Sequence, residues 1–239
     1  MIKAPDTAML LAAGLGKRMR PHNNDLPKPL VAVAGKALID YALDRFAAAG
    51  VKRAVVNVHF QADRIEAHLS ARKTPQIVIS DERGLLLETG GGLKKAQQDL
   101  GHAPIFCTNT DSILIDAPGG EACARLASGW DASRMDALLL LSRLSESSGF
   151  DGAGDFDLHT DGRISFRKGE IAAFAYTGLQ ILHPKLLDGA PSGAFSMRIL
   201  WDEALAAGRL HGLVHQGFWM HVGDPDGFRA AETRLRAAI

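Results

Sequence analysis

The residue types best suited to phosphate chemistry are gathered near the start of the chain, in Leu11-Ala12-Ala13-Gly14-Leu15-Gly16-Lys17-Arg18-Met19-Arg20. Glycines let a backbone approach a phosphate closely, its N–H groups supply donors, and Lys17, Arg18 and Arg20 add positive charge. The run is not a Walker A loop, because no Gly-Lys-Ser/Thr follows at the required spacing. Nor is it a dinucleotide fingerprint, because Met19 stands where a third glycine would be. Taken alone, Gly-x-Gly is equally well explained as a structural turn. The next segment, Leu26-Pro27-Lys28-Pro29-Leu30, favours chemistry. Two prolines restrict their neighbours' backbone and so limit where Lys28 can point, and an anchored ammonium suits a phosphate ligand.

Read in order, LAAGLGKRMRP, LPKPLVAVAGKALI, LETGGGL and TNTD make the chain resemble the sugar-1-phosphate nucleotidylyltransferases, or nucleotide-sugar pyrophosphorylases, from Ala8 to about Phe228. The resemblance implies that Ala12, Ala13, Gly14 and Gly16 wrap a nucleotide and that Arg18 holds the β and γ phosphates that leave as pyrophosphate. Lys28 would neutralise the phosphates at the reacting centre. In Glu88-Thr89-Gly90-Gly91-Gly92 the glycine backbone would come against the base edge, with Glu88 either touching the ligand or bracing the loop. Asn109 and Asp111 would face the ribose and a Mg²⁺ (or Mn²⁺) ion, Asp111 being a metal ligand. Thr177 and Gly178 would line the sugar side, with Asp155 and Glu170 as candidates for the sugar hydroxyls or an acetamido group.

The implied reaction asks for such residues. A sugar-1-phosphate oxygen must attack the α-phosphorus in line with departing pyrophosphate, although both reactants are anions, so positioning and charge neutralisation carry the catalysis. A hard carboxylate at a strand's end is a natural Mg²⁺ anchor. One position departs from the family pattern: where relatives read Trp-x-Asp-Val-Gly-Thr, this chain reads Trp219-Met220-His221-Val222-Gly223-Asp224. Three readings stand: His221 ligates a softer metal such as Mn²⁺ or Co²⁺, Asp224 substitutes from nearby, or Asp111 works with only phosphates and water. The runs FAYTGLQILHP, GAFS and WDEALAAGRLHGLVHQGFWMHVGDP are most similar to the uridylyl-transferring branch, which implies UTP and N-acetylmuramate 1-phosphate as substrates in cell-wall recycling. GTP with mannose or heptose 1-phosphate is the enzymatic alternative. A catalytically silent sugar-nucleotide sensor is the alternative from another class, opposed by the presence of Arg18, Lys28 and Asp111.

The elements that must hold these residues are legible as alternating strands and helices. Short β-branched-rich runs at Ala8 to Leu11, Ala54 to Phe60, Ile77 to Ser80, Ile105 to Thr108 and Ala137 to Leu141 read as strands buried on both faces. Helices are expected over Leu38 to Ala49, where Leu38, Ala42, Phe46 and Ala49 share a face before Gly50, and over Gln61 to Arg72 and Gly92 to Leu100. Short connections between them predict right-handed βαβ units and an α/β fold, a three-layer αβα sandwich on a mixed, mostly parallel sheet of Rossmann-like nucleotidyltransferase type. Ligands then bind beyond the strands' carboxyl ends. The second half predicts a hairpin, Phe156 to Leu158 and Arg163 to Phe166 about Thr160-Asp161-Gly162, a strand over Ile171 to Leu182, and helices over Ser196 to Ala207 and Pro225 to Ala238. Trp201 is expected in the core.

One domain is expected over 1–239, its nucleotide half about 1–115 and its sugar-phosphate half about 116–239. Twenty-seven basic residues balance 27 acidic ones, so no long-range field draws the chain to nucleic acid or an anionic membrane, and small-molecule substrates are the expected partners. With no bilayer-length apolar run and no signal-peptide pattern in MIKAPDTAML, a cytoplasmic location is expected. Cys107 and Cys123 suit neither a disulfide framework nor zinc and read as structural thiols. His59, His68, His102, His159, His183, His211 and His215 are too scattered for a metal site and read as surface or hydrogen-bonded residues. Ser147 and Ser148 lack a Gly-x-Ser-x-Gly elbow. The sequence does not give the oligomeric state.

Overall fold

In the computed structural model of the protein, which describes residues 4–19 and 25–237, the first strand is β1 (Thr7–Leu11), followed by the hairpin β2 (Ala32–Val33) and β3 (Lys36–Ala37). Then come α1 (Leu38–Ala48), β4 (Arg53–Val58), α2 (Ala62–Leu69), β5 (Gln76–Asp81), α3 (Glu88–Lys95), α4 (Gln97–Leu100), β6 (Ile105–Asn109) and β7 (Ser112–Asp116). The second half runs α5 (Ala122–Gly129), β8 (Ala137–Arg143), β9 (Ser147–Ser148), β10 (Phe156–Leu158), β11 (Ile164–Phe166), β12 (Phe174–Leu182), α6 (Arg198–Ala206), β13 (Leu210–Val214), β14 (Gly217–His221) and α7 (Pro225–Arg236). Arg20 and Ala238 lie outside the described residues.

Nine strands among the described residues form the main sheet. β1 pairs in parallel with β4 and β6, β4 with β5, and β8 with β13, while β12 runs antiparallel between β6 and β8 and carries the β10–β11 hairpin on its first half. The sheet is therefore mixed and mostly parallel. Strand alternation divides its core. Ala8, Leu10, Val56, Phe106 and Ile181 face α1, α2 and α5, whereas Met9, Val55, Cys107 and Leu182 face α3, α4 and α6. Helices cover both faces, giving three layers.

Several elements differ from the sequence reading. The helix expected from Gly92 begins at Glu88 and breaks at Ala96. It takes in three glycines despite their poor helix propensity because a Cβ at Gly90 would strike the Phe195 ring, and one at Gly91 the Gly193 carbonyl. The long strand starts at Phe174 instead of Ile171. β7, β13 and β14 were not anticipated. β7 and β14 pair antiparallel in a small second sheet with β9, and α7 packs over it. Trp201 is half-buried rather than core. His211 and His215 are buried rather than at the surface, each with an Nδ1 that has no hydrogen-bond partner, while His215 Nε2 lies 3.2 Å from the Ile115 carbonyl oxygen as a hydrogen-bonded residue would. Both cysteines are buried and free, with thiols pushed up to about 12 by burial.

Candidate active site

Parallel strands deliver their carboxyl ends to one edge of the sheet, and there the chain leaves a cleft of about 540 Å³. Its wall includes Ala12, Ala13, Gly14 and Gly16 after β1, Arg18 in the short turn that follows, Glu88 and Thr89 at the head of α3, Asn109 at the end of β6 and Asp111 just after it. Gly14 faces open space, and a Cβ there would meet nothing within 4 Å. Gly16 has φ +57°, and a Cβ on it would lie 2.9 Å from Lys28 Cβ, so the glycine both makes the turn and admits the lysine.

Lys28 opens a single 3-10 turn set by Pro27 and Pro29. Its Nζ lies 2.7 Å from Asp111 Oδ2, with side chains 12 % and 23 % exposed, so water screens the pair little. Burial pushes the Asp111 carboxyl up, but the Lys28 ammonium, joined by His221 once acid protonates its ring, outweighs this and holds the group below the usual carboxylate range. His221 closes β14 opposite Ser112, and its ring packs on the Gly223 backbone, which itself lines the cleft. Burial lowers the His221 pKa, and Lys28 and Arg18 reinforce this against Asp111, leaving the ring neutral at neutral pH. The Asp224 carboxylate instead caps α7, accepting from Gly227 N–H at 2.9 Å.

No group of three or more His, Cys, Asp or Glu side chains that could hold a metal by themselves occurs among the described residues. The donor set at Asp111, one hard carboxylate on an open cleft with a neutral imidazole beside it, fits a divalent ion shared with substrate phosphates rather than a closed protein cage. One apolar cluster fastens all four of these polar side chains. Arg18 precedes Met19, Lys28 precedes Val31 by three residues, Asp111 precedes Ile113 by two, and His221 lies between Met220 and Val222. Met19, Val31, Ile113, Met220 and Val222 are buried together with Val33, Leu38 and Ala231.

Other expected residues lie elsewhere. Gly90, Gly91 and Gly92 are not among the residues lining the cleft; the Gly90 N–H donates to the Phe195 carbonyl at 2.9 Å, and the run packs closely on Phe195, Gly193 and Asn57. Thr177 is fully buried; its hydroxyl donates to the Leu140 carbonyl at 3.0 Å and its own carbonyl accepts from Ser112. Gly178, at φ +94° in the irregular middle of β12, backs onto the Asn109 side chain and so stands one residue's thickness from the cleft. Asp155 lines a second, smaller pocket and accepts from Tyr176 N–H at 2.8 Å. Glu170 is exposed, and only its backbone carbonyl is engaged, by Arg167.

Asn57 and Glu82 were missed. Asn57 Oδ1 accepts from Ala12 N–H at 2.7 Å, its amide donates to Glu82 Oε1 at 2.8 Å, and Glu82 Oε2 accepts from Leu87 N–H at 3.1 Å. The network ties the glycine loop to the turn before α3. A polar residue at the end of the apolar run Arg53–Val58 was its one sequence signal.

The model of the MobA-like NTP transferase domain matches residues 8–145. Over the whole of both chains the sequence is 52% identical to N-acetylmuramate alpha-1-phosphate uridylyltransferase of Caulobacter vibrioides. The chain belongs to the MobA-like NTP transferase family. A second relative, N-acetylmuramate alpha-1-phosphate uridylyltransferase of Neisseria meningitidis, is 33% identical over 90% of this chain and 92% of its own. The same NTP transferase architecture recurs in the solved inositol-1-phosphate CTP transferase from T. maritima, with a TM-score of 0.75 at 16% identity over 99% of this chain and 98% of that one. The family match begins at Ala8 in β1 and ends at Ser145, so it takes in the glycine loop, Lys28, Thr89 and Asp111.

Proposed function

We propose that this NTP transferase moves a uridylyl group from UTP to N-acetylmuramate 1-phosphate, forming UDP-N-acetylmuramate and pyrophosphate in the reuse of cell-wall sugars in the cytoplasm. The full-length identity to the Caulobacter protein carries the reading. In this reading the Gly14–Gly16 loop accepts the triphosphate and Arg18 draws the β and γ phosphates toward departure. Lys28, fixed beside Asp111, offsets the charge that keeps the attacking sugar phosphate from the α-phosphorus. Asp111 would hold Mg²⁺ or Mn²⁺ together with phosphate oxygens, the ion supplying further charge neutralisation, and His221 stands beside it as a second, neutral donor. Leu86, Glu88 and Thr89 form the wall assigned to the base, with Asn109 toward the ribose. Glu88 adopts φ +59°, a strained backbone for a residue other than glycine, at the edge of that wall. No helix among the described residues is long and apolar enough to cross a membrane.

The test is pyrophosphate release from each of UTP, GTP, CTP and ATP with a panel of sugar 1-phosphates and Mg²⁺ or Mn²⁺. UTP with N-acetylmuramate 1-phosphate is expected to give the highest kcat/KM. A guanylyl pair, GTP with mannose or heptose 1-phosphate, at or above that value would overturn the assignment.

A further inference from the structure

Beside the cleft lies a second pocket of about 300 Å³, lined among others by Asp155, Phe166, Arg167, Tyr176, Arg198 and Trp201. Two short stretches of chain join it to the first. Ser196 lines the cleft and Arg198 N–H donates to Ser196 Oγ at 3.3 Å. Gly178 backs onto Asn109, Tyr176 lies two residues earlier on β12, roughly 7 Å along a strand, and the Tyr176 hydroxyl donates to the Gly178 carbonyl at 2.8 Å. A sugar phosphate reacting near Asn109 therefore has this pocket within the reach of its ring substituents.

The pocket has an apolar wall and two polar ends. Trp201 and Tyr176 meet edge to face at 4.9 Å, and the indole N–H is fixed by donating to Gln180 Oε1 at 3.0 Å, so half-buried aromatic surface stands ready for the C–H face of a ring. At one end Asp155 uses one carboxylate oxygen on Tyr176 N–H; it repels an anion and suits a hydroxyl or amide N–H. At the other end the Arg198 guanidinium lies over the Phe166 ring, its Cζ 3.8 Å from the ring centroid. The ion pair of Arg198 with Asp202 is 3.8 Å long, beyond hydrogen-bond range, which leaves the planar fork of donors directed along its edge without a close carboxylate. Arg167 instead braces its own loop, donating to the Gly169 and Glu170 carbonyls.

Resting on the uridylyltransferase reading, we propose that this pocket is the subsite for the sugar's substituents. Arg198 pairs with the carboxylate that N-acetylmuramate carries on its lactyl ether and N-acetylglucosamine lacks, while Asp155 takes an N–H or hydroxyl donor. The aromatic wall accepts either sugar; the guanidinium tells them apart. A bidentate contact between charged groups far from the reacting phosphorus acts on binding and so appears in KM more than in kcat.

Wild type, Arg198→Gln and Arg198→Lys are to be compared with UTP against N-acetylmuramate 1-phosphate and N-acetylglucosamine 1-phosphate, scoring the ratio of the two kcat/KM values. The Gln variant is expected to shrink that ratio by about 10- to 150-fold, chiefly by raising KM for the carboxylate-bearing sugar, and the Lys variant to recover part of it. Equal losses on both sugars, as a contact to the shared acetamido group or a purely structural role would give, or an unchanged ratio, would overturn the assignment of Arg198 while leaving the overall reaction intact. A wild type that prefers N-acetylglucosamine 1-phosphate, or uses neither sugar with UTP, would overturn the substrate reading and the carboxylate site with it.

Discussion

Lys28 and Arg18 carry the same charge in different settings, and their removal should differ in kind. Arg18 is exposed on the cleft wall, so Arg18→Ala leaves no buried group behind. Lys28→Ala takes the partner from a shielded Asp111 carboxylate. Both variants are expected to lose about 10²- to 10³-fold in kcat for pyrophosphate release, the scale of one preorganised charge contact. Only Lys28→Ala should also lower Tm measurably by thermal denaturation. The glycine loop and Lys28 of the cleft wall were legible because their signals are local: a glycine that admits a close approach, a lysine held between prolines. Thr177 and Gly90 were not, since a short motif states what a backbone permits without stating which way it faces. Thr177 turned out to serve the sheet and Gly90 to serve Phe195.

Among elements, α3 shows how a packing requirement overrides propensity. Its glycines have no room for a side chain because Gly193, Phe195 and the Asn57–Glu82 pair press against the helix. Gly91→Ala forces a Cβ against the Gly193 carbonyl and is expected to cost about 1–3 kcal/mol, lowering Tm by several degrees. Gly14→Ala, whose Cβ meets nothing within 4 Å, should leave Tm unchanged and raise KM for UTP, because the space it fills belongs to the cleft. Differential scanning and steady-state kinetics on the two variants separate the roles. The strands of the first half were readable from continuous apolar runs buried on both faces. β7 and β14 were not, because each is short and half-buried, and their pairing joins Gly217 to Asp116 across a separation that no local pattern encodes.

Across the whole molecule, ion pairs tie distant parts of the sheet together. Asp136, before β8, lies 2.7 Å from both Lys185 Nζ and Arg209 Nε and is 8 % exposed. Burial pushes its carboxyl up, yet the two cations outweigh this and hold it below its usual range. A carboxyl depressed in the folded state stabilises fully above its unfolded pKa, about 3.9, and loses that contribution as pH falls through the depressed folded value. Asp136→Asn is therefore expected to be less stable than wild type at pH 7, with the Tm difference closing below about pH 4, as read from melting curves across that range. The three-layer sandwich itself followed from strand and helix alternation; the small sheet of β7, β9 and β14 beneath Asp111 and His221 did not. Arg18, Lys28, Asp111 and His221 are footed in the cluster around Met19, Ile113 and Val222, apart from the two larger clusters on the sheet faces. Units with fewer buried contacts open at lower free energy. Warming is therefore expected to loosen this common footing while the main sheet still stands, so that pyrophosphate release fails at a lower temperature than the far-UV circular dichroism signal, and heat takes the chemistry from this molecule before it takes the shape.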